Sequence, residues 1–132
     1  MCIFCKIVNG EIPCYRLYED ETVLAFLDIS QATIGHTLVI PKKHFPDAYA
    51  LDEDTASKVF VAGIKIAKRL KEVLPLEGLN ILNNNGPVAG QSVNHFHLHL
   101  LPRYQNDGLN IQFSSNKIDP EEFSRLVQKI SF

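Results

Sequence analysis

The chain has 132 residues, 45% hydrophobic and 21% charged, with a net charge of −2. That length and mix predict one globular domain over residues 1–132, with enough chain to bury a core without disulfides. They exclude a broad nucleic-acid-binding face, which needs clustered basic residues, and no stretch reaches the roughly 20 apolar residues of a membrane-spanning helix.

Cys2 to Gly10 reads as a short helical turn, closed by Gly10 with Pro13 beyond it. Tyr15 to Glu19 and Thr22 to Leu27 read as strands around the polar turn Asp20-Glu21, a hairpin signal. Thr37 to Ile40 is a third strand, stopped by Pro41. Asp52 is the N-cap of a long helix whose apolar stripe is Val59, Gly63, Ile66, Leu70 and Val73, and Pro75 ends it. Leu79 to Leu82 and His95 to Leu101 complete the strands. The C-terminal helix has Asp119 as cap, Pro120 at its first position and Glu121 and Glu122 in its first turn. Phe123, Leu126, Val127 and Ile130 form its expected buried stripe. The predicted class is α+β: about five antiparallel strands with one long central helix and a C-terminal helix.

His95-Phe96-His97-Leu98-His99-Leu100-Leu101 carries the chemistry. In a strand, alternate side chains share a face, so the three imidazoles line one side and the apolar residues the other. A lone strand histidine is usually structural, but three together must satisfy six ring nitrogens. Imidazole serves as nucleophile, acid or base near neutral pH, which suits phosphoryl transfer through a phosphohistidine. The preceding segment, Asn83 to Ser92, is rich in turn residues. Within it Gly90 admits close backbone approach, while Gln91 and Ser92 offer donors to a phosphate.

Cys2-Ile3-Phe4-Cys5 is half of a zinc site, with His44 and His95 as candidate partners. The plain alternative is two buried thiols. Cys14 has no evident partner. An odd number of cysteines, with no signal-peptide pattern at the N-terminus, predicts a reduced, cytoplasmic chain.

The histidine run resembles the His-x-His-x-His-x-x motif of the histidine triad (HIT) family, and Gly90-Gln91-Ser92-Val93 resembles its phosphate loop. Asp28-Ile29-Ser30 and His36 to Lys42 are similar to the family's nucleotide-binding strands, so the likeness runs from about Cys2 to Arg103. It is nearest to small bacterial proteins of the Hint branch. The resemblance implies a HIT-like fold in which His97 is the nucleophile and His99 meets the α-phosphate or bridging atom. His36 orients the cluster. Gln91, Ser92 and Asn84 attend the phosphate beside Gly90. Asp28 holds the ribose hydroxyls, and Phe26, Leu27 and Ile29 flank the base.

It also implies a structural Zn2+ on Cys2, Cys5, His44 and His95, and a homodimer. Pro102-Arg103 departs from the Gly-Gly-Arg of many Hint proteins, and nothing after Arg103 maps onto the family. The implied partners are purine nucleotides: AMP, adenosine phosphoramidates and dinucleoside polyphosphates, with no nucleic acid and no membrane. Three functions compete. One is a phosphoramidase working through an AMP–His97 intermediate. The second is a diadenosine polyphosphate hydrolase. The third is a nucleotide-binding regulator with incidental turnover.

Overall fold

The computed structural model describes residues 2–132, so Met1, the first residue of the expected domain, lies outside them. In chain order the elements are α1 (Ile3–Val8), β1 (Arg16–Glu19), β2 (Val23–Leu27), β3 (Thr37–Pro41), α2 (Glu53–Val73), β4 (Gly78–Leu82), β5 (Leu98–Arg103) and α3 (Pro120–Ile130). The strands form one five-stranded antiparallel sheet in the order β1-β2-β3-β5-β4. This is the α+β architecture that the hydrophobic periodicity predicts. No helix among the described residues is long and apolar enough to cross a membrane.

The period-two alternation of the strands divides the core in two. Val23, Ala25, Val39, Leu98 and Leu100 face α2 and pack on Val59, Ala62, Ile66 and Leu70. Leu24, Phe26, Leu38 and Ile40 face the other way, where Phe4 and Ile7 of α1 cover them, with Cys14 half-buried at the margin. His97 and His99 occupy this second face of β5 and its approach, so α2 backs the sheet while these two imidazoles lie on the opposite side. Gly63 lets α2 come close: a Cβ there would lie 3.4 Å from Leu98 Cδ1.

Three expectations need correction. The histidine strand begins at Leu98 rather than His95 and continues through Pro102 to Arg103. Residues 95–97 leave the ladder because their backbone groups bond elsewhere. The Phe96 N–H donates to the Phe45 carbonyl (2.7 Å), and Asn83 Nδ2 donates to the His97 carbonyl (3.0 Å). Val73 is 63% exposed, past the end of the helix stripe that meets the sheet. The expected buried stripe of α3 is largely in solvent: Phe123, Val127 and Ile130 are 56%, 62% and 65% exposed. Its local signals act as expected: Asp119 caps the Glu122 N–H at 2.8 Å, and Arg125 pairs with Glu122. Local capping forms the helix, but no face of its own fold receives it.

Candidate active site and metal centre

The β2–β3 connection is built to present two side chains. The Asp28 N–H donates to the His36 carbonyl at 3.0 Å, closing the turn just beyond the last rung, Leu27 opposite Thr37. Gln31 staples it from within: Nε2 donates to the carbonyls of Asp28 (2.5 Å) and His36 (2.8 Å), while Oε1 accepts from the Gly35 N–H (2.8 Å). Asp28 Oδ1 accepts from the Ser30 N–H at 2.8 Å, which turns Oδ2 towards His36 Nε2, 3.6 Å away.

Backbone groups then assign the tautomers. The Ala32 N–H donates to His36 Nδ1 (3.2 Å), so the ring proton sits on Nε2, and it reaches His99 Nδ1 at 2.9 Å. His99 is left with its own proton on Nε2. His97 Nδ1–H donates to the His95 carbonyl at 2.7 Å, which leaves the Nε2 lone pair of His97 free. The rings of His97 and His99 are 4.8 Å apart, and Phe4 presses edge-on against His97 at 5.2 Å. Thus His36 acts on His99 directly, and a main-chain carbonyl fixes His97.

Burial dominates the electrostatics. It lowers the pKa of His97 and of His36, against which the Asp28 carboxyl pulls upward. His99 falls to about 4, first by burial and then by the neighbouring His97 and His36. All three imidazoles are therefore neutral near pH 7 in the free protein.

The loop from Gly86 to Ser92 is internally braced. Gly86 and Gly90 have φ of 89° and 94°, conformations that side chains rarely adopt. The Gln91 amide is wholly engaged in this brace. Its Oε1 accepts from the Gly86 N–H (2.8 Å), and Nε2 donates to the Pro46 (2.7 Å) and Val93 (3.0 Å) carbonyls. Asn84 lies beside Gly90, where a Cβ would be 3.5 Å from Asn84 Nδ2. Ser92 is exposed and lines an open depression with Cys2, Ile3 and His44. Of the side chains expected to flank a base, Ile29 is 86% exposed, Leu27 is half-buried, and Phe26 is buried against Phe4, with ring centroids 5.6 Å apart.

Some positioning residues carry no sequence signal that singles them out. Asn83 holds the His97 carbonyl, and Asn85 Nδ2 braces Asn83 Oδ1 at 2.6 Å, so within the asparagine triplet it is the flanking pair that anchors the strand approach. Gln31 was equally indistinct, one polar residue in a turn. Phe4 read only as an apolar residue between two cysteines.

The second constellation joins Cys2, Cys5, His44 and His95, whose donor atoms all lie within 4.8 Å of one another. Cys2 is also the N-cap of α1: its Sγ accepts from the Cys5 N–H at 3.5 Å, which puts both sulfurs on one side of the first turn. His95, fully buried, donates Nε2–H to the Pro41 carbonyl (2.8 Å) and turns its Nδ1 lone pair to the sulfurs. The S···N separations are 3.5, 3.4 and 3.6 Å, and the two Nδ1 atoms are 3.2 Å apart. A tetrahedral zinc with ordinary bond lengths requires S···N of about 3.6 Å and N···N of about 3.4 Å. The donor set fits zinc. Burial and the adjacent Cys2 raise the Cys5 thiol pKa, a penalty on thiolate that a divalent cation reverses.

Residues 9–106 match the HIT domain family model. The chain is 40% identical to the adenosine 5'-monophosphoramidase of Schizosaccharomyces pombe, over 98% of this chain and 96% of that protein. The crystal structure of a HIT family protein from Bacillus anthracis shares 52% identity and superposes with a TM-score of 0.93, covering 98% of this chain and 94% of the other. A zinc-bound histidine triad family protein from Mycobacterium smegmatis shares 42% identity with a TM-score of 0.78, covering 97% and 91%. With most of its length matched in sequence and in fold, the chain belongs to the HIT family.

Proposed function

We propose that this protein is a nucleotide hydrolase that cleaves the P–N bond of purine nucleoside phosphoramidates through an AMP–His97 intermediate. One observation carries the reading. The buried His97 has its Nδ1–H committed to the His95 carbonyl at 2.7 Å, so Nε2 presents a lone pair to the side where His99 stands. The phosphoramidase activity named for the Schizosaccharomyces pombe relative supports the substrate class.

In the first step His97 Nε2 attacks the α-phosphorus, and the P–N bond breaks with its electron pair on the amine nitrogen. The amine needs a proton. A bound phosphate's negative charge favours protonated His99, whose Nε2–H is then the donor, while its Nδ1–H donates to His36 Nε2 once the His36 proton has moved to Nδ1. In the second step water attacks the phosphorus, gives its proton to neutral His99, and AMP leaves with His97 restored. His36 holds His99 in register from the far side of that ring. Asp28, with Oδ2 free, is suited to accept from the ribose hydroxyls. Asn84 and Ser92 attend the phosphate with the Gly86–Ser92 backbone, while the Gln91 side chain shapes the loop rather than touching the ligand. Leu27 and Ile29 flank the base, and Phe26 supports them from the core.

The test compares AMP release from an adenosine phosphoramidate with that from diadenosine tetraphosphate. Faster phosphoramidate cleavage is expected. Faster dinucleotide cleavage would make the protein a polyphosphate hydrolase with the same nucleophile. Nucleotide binding without turnover of either would make it a regulatory binder.

Zinc on Cys2, Cys5, His44 and His95 is structural in this reading, because four protein ligands leave no position for substrate. The protein acts as a homodimer. The 11-residue α3 is too short to be stable in water without a packing partner, yet none of its residues is buried. Phe60 and Val61 of α2 are likewise half-exposed, and β4 is an edge strand. A second copy supplies what these surfaces lack. Light scattering at micromolar concentration is expected to give twice the chain mass. A Phe123→Asp, Val127→Asp variant should weaken association at least tenfold. A monomeric wild-type mass would refute the dimer.

A further inference from the structure

Asp28, His36 and His99 bring one oxygen and two nitrogens within 4.8 Å of one another, apart from the four-ligand set described above. The spacings fit a metal edge as well as the hydrogen bond that His36 and His99 share. His36 Nε2 and His99 Nδ1 are 2.9 Å apart, and His36 Nε2 and Asp28 Oδ2 are 3.6 Å apart. Adjacent ligands at ordinary metal–nitrogen lengths sit about 3.0 Å apart in an octahedral site and about 3.4 Å in a tetrahedral one. The Asp28 contact is too long for a hydrogen bond, so Oδ2 stands open beside two imidazoles while Oδ1 is held by the Ser30 N–H.

Three adjacent strands fix the three donors. Asp28 follows β2, His36 precedes β3, and His99 lies in β5 opposite Leu38. One carboxylate and two imidazoles, with the remaining positions open, is a set that suits first-row divalent metals. His36 must present a lone pair at Nε2, which moves its proton to Nδ1 and breaks the bond from the Ala32 N–H. The Ser30 carbonyl also stands against the His36 ring and favours its protonation, so a ring N–H has an acceptor there. The exchange of one backbone bond for another makes this the weaker of the two metal sites.

We infer that Asp28, His36 and His99 form a second, exchangeable site for a divalent transition metal, and that metal and nucleotide exclude one another there. The exclusion rests on the nucleotide placement proposed above; the metal binding does not. A cation held by His99 Nδ1 and Asp28 Oδ2 occupies the groups assigned to the leaving-group proton and the ribose. It also replaces the proton that His36 shares with His99.

The experiment titrates the zinc-loaded protein with Co2+, which does not displace zinc from thiolates. Calorimetry and visible absorption follow the binding, with metal analysis of the dialysed product. One further equivalent is expected, with weak ligand-field absorption and no thiolate-to-cobalt charge-transfer band. Asp28→Asn and His36→Gln should each lose that equivalent while retaining one zinc per chain. Rising Co2+ should raise the apparent Kd for AMP linearly with the free Co2+ concentration, as mutually exclusive ligands require. No second equivalent, or one that persists in both variants, overturns the site. A second equivalent that the variants lose but AMP does not displace keeps the metal site and refutes the nucleotide placement instead.

Discussion

His97→Ala is expected to lower AMP release from an adenosine phosphoramidate by about 10⁴-fold or more, the scale on which loss of a covalent nucleophile registers. Nucleotide affinity should change little, because the ring's bonding partner is a main-chain carbonyl and the pocket walls do not depend on it. Rapid quenching of the wild-type protein should trap one equivalent of AMP in an acid-labile linkage, absent from the variant. The pH profile gives a second reading. Burial lowers the His97 pKa from the ordinary imidazole value of 6.5, so its lone pair stays available as pH falls through that value. The acid limb of kcat/KM for the free protein should therefore lie below 6.5, whereas an exposed nucleophilic histidine would place it there. The same burial affects stability. For His99 the unfolded chain binds more protons than the folded one between about 4 and 6.5, so the contribution present above 6.5 is lost as pH falls towards 4.

Loss of the proposed zinc is the second large effect expected. A Cys5→Ser variant is expected to release the metal and lose several kcal/mol of stability, read as a drop in Tm of ten degrees or more. The sheet and α2 have their own apolar core, so the chain should remain folded at low temperature. Turnover should fall further than the lost stability accounts for. The ring of Phe4, in the helix that carries Cys5, lies 5.2 Å from His97, and His95 is at once a candidate zinc ligand and the owner of the carbonyl that fixes the His97 tautomer. A fall in kcat with little change in KM is the signature of a displaced nucleophile. Zinc loss with Tm and kcat intact would reduce the four residues to bystanders. Metal content by elemental analysis, thermal unfolding and steady-state kinetics decide between these outcomes.

Much of this was readable from the chain because it depends on local spacing. The short apolar runs Val23 to Leu27 and Thr37 to Ile40, the stripe of α2, and the capping signals at Asp52 and Asp119 each express one element's own geometry. The histidine motif and the Cys-x-x-Cys pair were visible for the same reason. The motif's strand assignment was three residues early because Phe45 and Asn83, distant in sequence, take the backbone bonds that a ladder would have used.

Sequence by itself determined the fold class, the family and the residue types that can do phosphoryl chemistry or hold zinc. Only the tertiary structure decided how those residues are deployed. It put the lone pair of His97 on Nε2, gave His99 rather than His97 to His36, and turned the Gln91 amide inward as a brace. It also left the apolar face of α3 without a home in its own subunit. The physical reason is common to all four. Tautomer, rotamer and burial are set by whichever donor, acceptor or apolar surface the fold brings alongside, be it His36, 63 residues from His99, or the His95 carbonyl beside His97.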